Sequence, residues 1–151
     1  MIKKVNPSMI YFSKNIQGLC LRTSKSFPRG CPNYGKKKDC PPTLLINKIL
    51  DLTKPVYVIW TEFPIGKYAS EMRLKHPHWS EKQCYCCRYW QPRARKMHYA
   101  EIKKHRKKYH FNKVINCPEG NGVNIAGLMA KLGIKLEWPP RKITRIVSLA
   151  Q

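Results

Sequence analysis

Residues 30–42, GCPNYGKKKDCPP, limit what this 151-residue chain can build more than any other stretch. Pro32, Pro41 and Pro42 withhold backbone donors and fix φ, while Gly30 and Gly35 permit left-handed turns. The segment can therefore be neither a helix nor a central strand, and it is expected to be a rigid loop. Such a loop can hold Cys31 and Cys40 with their sulfurs converging, and Cys20 lies just upstream in Leu19-Cys20-Leu21. Three thiolates suit a soft metal. Zinc would ask for a fourth ligand in a closed tetrahedral site, whereas an iron–sulfur cluster tolerates other cysteine arrangements. The competing account is ordinary buried cysteine in a Pro-rich turn.

Cysteine number and charge narrow the function classes. Seven cysteines are odd for a disulfide framework and many for a reducing compartment, which favours metal binding or catalysis. The first residues, MIKKVNPSMIYF, carry no apolar run of signal-peptide length, and no apolar run anywhere is long enough to span a bilayer, so a cytoplasmic protein with reduced thiols is expected. Thirty Lys and Arg face eight Asp and Glu, a formal charge of +22. Self-repulsion on that scale in one small domain points to a polyanionic partner, nucleic acid before anionic membrane, because the cations are not gathered on one amphipathic helix.

The pattern of elements predicts an α/β fold: a single compact domain over residues 1–151 with a small sheet, flanking helices and cysteine-rich, metal-binding loops, in two or three layers. Residues 8–12 and 19–22 read as short strands. Thr43 is placed to cap a helix reaching Leu52, and residues 56–60, VYVIW, read as a central strand covered on both faces. A helix over residues 67–75 should stop at His76-Pro77. Ser80 and Gln83 match a capping box, with Trp79 and Cys84 at the staple positions. On that helix Cys84 and Cys87 would share a face, Cys86 would point elsewhere, and Pro92 would interrupt. Residues 93–109 resume as a basic helix with a narrow apolar stripe of Tyr99, Ile102 and Tyr109, inside a basic insertion at about 88–113. Residues 123–132 fit a helix stopped by Gly133, residues 134–138 look extended, and residues 143–149 a final strand.

Two metal sites are conceivable on this reading. Cys20, Cys31 and Cys40 would leave one coordination position open to solvent, substrate, His76 or His78; Cys84, Cys86, Cys87 and Cys117 would supply four thiols, although neighbours on a helix diverge. For the histidines, a solvated or phosphate-facing role competes with ligation. The cysteines themselves leave both an iron–sulfur cluster, of the 4Fe-4S kind, and zinc open as the cofactor.

The GCPNYG and CPP elements resemble the signature of a bacterial and archaeal family of predicted metal-binding proteins of unknown function. The chain resembles that family again in a downstream cysteine group and in Cys117-Pro118-Glu119 leading to Gly122-Val123-Asn124. The resemblance implies a metal site, iron–sulfur in kind, with ligands at Cys31, Cys40, Cys84, Cys87 and Cys117, and implies no reaction. The basic insertion departs from the family pattern and points to an acquired nucleic-acid partner.

Three functions follow. In the first, metal staples the domain while Lys36, Lys37, Lys38 and the helix cations Arg93, Arg95, Lys96, Lys103, Lys104, Arg106, Lys107 and Lys108 grip phosphates, RNA before DNA. Tyr85, Tyr89, Trp90, Tyr99 and Tyr109 lie among these cations, where they could stack on unpaired bases or simply pack beneath them. In the second, an iron–sulfur enzyme modifies a nucleic-acid base such as one in transfer RNA, with Asp39 and Glu119 as candidate acid or base groups. Gly120-Asn121-Gly122 lacks the Lys and Ser/Thr spacing of a phosphate loop, and no Ser/His/Asp arrangement is evident. In the third, the chain is a zinc-stapled component of a ribonucleoprotein.

Overall fold

A computed structural model describes residues 1–23, 28–36 and 40–151. Its organising element is β2 (Val56–Phe63), a β-branched and aromatic run that pairs antiparallel with β1 (Ile2–Val5) on one side. On its other side lies β4 (Thr144–Ala150), and β3 (Val114–Ile115) closes that edge, giving the order β1-β2-β4-β3. Val58 stands opposite Leu149 and Ile59 opposite Ser148. Since alternate residues of a strand point to opposite faces, Val56, Val58, Trp60, Val147 and Leu149 form one apolar face. Ile59, Phe63 and Ala150 face the other way.

The first face is covered by short pieces: Ile46 of a 3-10 turn (Ile46–Lys48), Leu50, Val123, and Ile125, Leu128 and Met129 of α5 (Ile125–Lys131). The second is covered by two helices, α2 (Ile65–Lys75) and α4 (Cys87–Tyr109), through Tyr68, Trp90, Ala94 and Ile102. The strand expected over residues 56–60 is thus covered on both sides, and the molecule is a single compact domain with a small sheet, flanking helices and cysteine-rich loops. The remaining helical pieces among the described residues are α1 (Lys14–Gly18), α3 (Glu81–Cys84) and further 3-10 turns. No helix among the described residues is long and apolar enough to cross a membrane.

Local signals hold where their chemistry is local. His76 caps the end of α2, Ser80 and Gln83 form the reciprocal capping box, and Gly133, with φ of +77°, follows α5. Other expectations are corrected. Residues 8–12 and 19–22 make no hairpin: Asn6 Oδ1 accepts from Ser8 N at 2.9 Å to start a 3-10 turn (Pro7–Met9), and Leu19–Leu21 is a second such turn. The helix expected from Thr43 shrinks to Ile46–Lys48, because the Thr43 hydroxyl donates to the Gly120 carbonyl at 2.6 Å and is not used as a cap. Pro92 does not interrupt: α4 runs from Cys87 through it, losing only the bond its missing N–H would have made to the Arg88 carbonyl. The buried stripe of α4 is Trp90, Ala94, His98 and Ile102, spaced four apart, and Tyr99 faces solvent.

Candidate functional site

The cysteine loops are joined by backbone geometry that only glycine fits. Cys31 N donates to Cys20 O at 2.7 Å, and between these partners Gly30 adopts φ of +76°, where a Cβ would lie 2.9 Å from the Cys20 carbonyl oxygen. Gly35 N donates to Pro41 O at 2.7 Å, and Lys37, Lys38 and Asp39 lie outside the described residues. Cys117 enters from the far end of the chain on a 3-10 turn (Pro118–Asn121) ended by Gly122 at φ of +80°. That turn is clamped by side chains. Gln17 Nε2 donates to the carbonyls of Thr43 and Gly120, each at 2.8 Å, and Asn121 Nδ2 donates to Leu44 O at 2.8 Å.

The clamp regroups the cysteines. Burial first, and then the nearby charges of Cys31, Cys40 and Glu119, push the Cys20 thiol above its usual value. Burial and then Glu119 push Cys117 up to about 11, with Cys40 and Cys20 adding and a hydrogen bond from the Gly120 N–H opposing. Glu119 meets solvent as a residue, while burial of its carboxyl raises its pKa, opposed by a hydrogen bond from its own backbone N–H. Cys117 is therefore a neighbour of the first cysteine group. Soft thiols in this number suit zinc or an iron–sulfur cluster, but among the described residues no three His, Cys, Asp or Glu side chains are placed to hold one metal ion. The spacing, unlike the donor chemistry, does not yet fit a bound metal.

The expected convergence of Cys84, Cys87 and Cys117 is not seen. Cys84 is buried at the end of α3, Tyr85 caps that helix, and Cys86 is the N-cap of α4, which leaves Cys87 exposed on the first turn of a different helix. A shared helical face therefore does not exist. Cys84 and Cys86 instead lie near Tyr68, whose hydroxyl is pushed up mainly by burial, against the opposing charge of Arg93.

The basic helix presents itself as the sequence predicts in one respect: Arg93, Arg95, Lys96, Lys103, Lys104, Arg106, Lys107 and Lys108 are all exposed. Among the described residues Arg93 alone of these has a carboxylate partner, Glu71, at 3.8 Å. Glu101, the one acid on α4, is occupied by the Met1 amine at 2.8 Å and His105 Nε2 at 3.0 Å, which hold its pKa low. Lys36 is also exposed, on the cysteine loop.

Of the aromatic residues expected among these cations, Trp90 is core against Phe63, and Tyr85 lies under the Arg141 guanidinium at 4.8 Å. Tyr109 leans on Tyr57 and Phe111. Tyr89 and Tyr99 are exposed. His78 is exposed and His76 stacks on Trp79, so neither histidine joins the cysteines.

Sequence reasoning missed His98, buried between helix and sheet with Nδ1 2.9 Å from Thr61 Oγ1 and Nε2 2.8 Å from Ser148 Oγ. Its place in the four-residue stripe of α4 was the available signal. It also missed a cavity of about 240 Å³ beside Cys117, bounded by Thr43, Leu44, Ile49, Val114 and Asn121. No protein-family model matches the chain, and no curated protein or solved structure is found to be similar to it.

Proposed function

We propose that the chain is a metal-stapled RNA-binding protein of the reducing cytoplasm. On this reading α4 lays its outward cations along the phosphates of unpaired RNA. Cys20, Cys31, Cys40 and Cys117 hold a metal that ties the loops of the opposite face of the sheet together.

The observation that carries the reading is the outward surface of α4: nine exposed cations, Arg88 and the eight named above, with one carboxylate partner among the described residues. A solvated helix gains nothing from such crowding of like charge, whereas a polyanion neutralises it and releases counterions. The neighbouring thiols support the second half. Burial disfavours ionisation of Cys20 and Cys117, which lie near Cys40, and although no three of these side chains stand at ligand spacing among the described residues, a cation would stabilise them as thiolates. An iron–sulfur cluster is favoured by the resemblance of the GCPNYG and CPP elements, and zinc is the alternative.

A second reading, an iron–sulfur enzyme that modifies a base in RNA, has one observation in its favour: the cavity that reaches Cys117.

Titration of binding against salt tests the first reading. With about five phosphates neutralised, log K should fall with log salt at a slope near −3.5 for single strands, and changing Lys103, Lys104, Lys107 and Lys108 to Gln should flatten it by about 3. An unchanged slope removes α4 as the contact surface. Anaerobic purification with metal analysis and an absorption spectrum tests the staple, and protein containing neither iron nor zinc removes it.

A further inference from the structure

Beside α4 the surface carries a column of stacked rings. The rings of His76 and Trp79 are 4.2 Å apart with planes at 12°, and those of Trp79 and Tyr89 are 4.8 Å apart at 29°. The three come from different pieces of chain: the C-cap of α2, the link that follows it, and the first turn of α4. Their positions are fixed. Arg73 Nη1 donates to the Trp79 carbonyl at 2.7 Å, and the capping box of Ser80 and Gln83 holds the next residue.

None of the three belongs to the buried clusters that make up the core, and Tyr89, at the end of the column, is 45% exposed. Rings recruited only for packing would be pressed onto the core, as Trp90 is onto Phe63. Exposed Arg73, Lys75, Lys82 and Arg88 flank the column in the chain. An occupant suited to this place must offer both a flat ring and negative charge.

We propose that His76, Trp79 and Tyr89 form a stacking platform on which an unpaired base of a single-stranded polynucleotide continues the column beyond Tyr89. Base stacking on aromatic side chains tolerates any sequence, because every base has a π-face, while a duplex keeps those faces inside its own stack. The cations beside the column would hold the flanking phosphates. The proposal rests on the nucleic-acid reading above and adds to it the class of strand recognised.

The test compares an oligouridylate of about ten nucleotides with an abasic ribose-phosphate strand of equal length and charge. The full chain is titrated by fluorescence anisotropy. The base-bearing strand should bind about tenfold more tightly. Tyr89→Ala should abolish that difference without weakening the abasic strand, and Tyr89→Phe should keep it. Circular dichroism of the variants checks that they are folded. Equal affinity for the two strands overturns the platform while leaving a salt-dependent phosphate contact standing. Equal weakening of both strands by Tyr89→Ala, or duplex RNA bound as tightly as the single strand, overturns it as well. If neither strand binds, the nucleic-acid reading fails with it.

Discussion

The two faces of the sheet are covered in opposite ways. On one, loops and single turns meet across large sequence distances and are held by directed bonds, such as those of Gln17, Thr43 and Asn121. On the other, α4 needs only Trp90, Ala94, His98 and Ile102 to dock. A helix satisfies its own backbone and can leave three quarters of its surface to other uses, which here is positive charge. Loops cannot, so their side chains are spent on one another's carbonyls, and their approach gathers residues distant in sequence. The difference teaches where each kind of chemistry can sit: charge density on the helix, neighbouring thiols from distant parts of the chain on the loops.

The sharpest way to break this division is through the cysteines. Cys117→Ser should lose most bound metal, while Cys87→Ser, on the helix side, should keep the full content in metal analysis of anaerobically prepared protein. For a structural zinc the loss would remove about 10 kcal/mol of binding free energy. The reverse pattern would move the site to the other face.

The next effect tests the helix side. Burial holds His98 neutral, with a pKa lowered to about 4; the Met1 amine lowers it further and Glu101 opposes. A basic group whose folded pKa lies below its ordinary 6.5 takes up protons more readily when unfolded. Its contribution is therefore complete above pH 6.5 and is lost as pH falls toward 4, about 3 kcal/mol in all. Urea unfolding at pH 7 and pH 4.5 should show the loss, and His98→Gln should be less sensitive over the same interval. A variant as acid-sensitive as the parent would show that the docking of α4 is indifferent to this histidine.

Smaller again is Gly122→Ala on the loop side. The new Cβ would meet Ser13 O at 2.6 Å and Leu45 Cδ2 at 2.7 Å at a left-handed φ, so a loss of about 2 kcal/mol in thermal or urea unfolding is expected. A neutral result would mean that the loop face is looser than its hydrogen bonds imply. The least effect, about 1 kcal/mol, is expected for Ser80→Ala, which removes one half of an exposed capping box. Differential scanning calorimetry can resolve it, and no change would mark α3 as held by its neighbours alone.

What could be read in the sequence was whatever depends on near neighbours. Val56, Val58 and Ile59 announce a doubly covered strand by their branching, and Ser80 with Gln83 announces a helix start because both partners lie within four residues. The Asn6-Pro7 turn start is equally local, and it prevails over the strand-like apolar residues after it. The cysteine grouping was not legible, because it depends on two facts a helical wheel cannot supply. Tyr85 ends α3 before Cys86 and Cys87 begin α4, and the partners of Cys117 are chosen by Gln17 and Thr43, which reach Gly120 from the other end of the chain. Thr43 illustrates the conflict: a good cap by type, it is drawn off by a carbonyl remote in sequence. The exposure of the cations from Arg93 to Lys108 was predicted by composition, whereas the buried stripe was legible only at Ile102, with Trp90, Ala94 and His98 in place of Tyr99 and Tyr109.

The pairing of β2 with β4 has a consequence for how the molecule is made. Residues 57–63 find their partners at residues 144–150, so the centre of the sheet cannot close during synthesis until those later residues have emerged. Contacts of such long sequence separation are slow to form, and they leave earlier segments waiting. Among those segments is α4, which packs against both strands and emerges before the second of them exists. A nascent chain rich in unpaired lysine and arginine would pass this interval beside ribosomal RNA. Its order of synthesis thus exposes the cationic segment to polyanion before the sheet that displays it is complete.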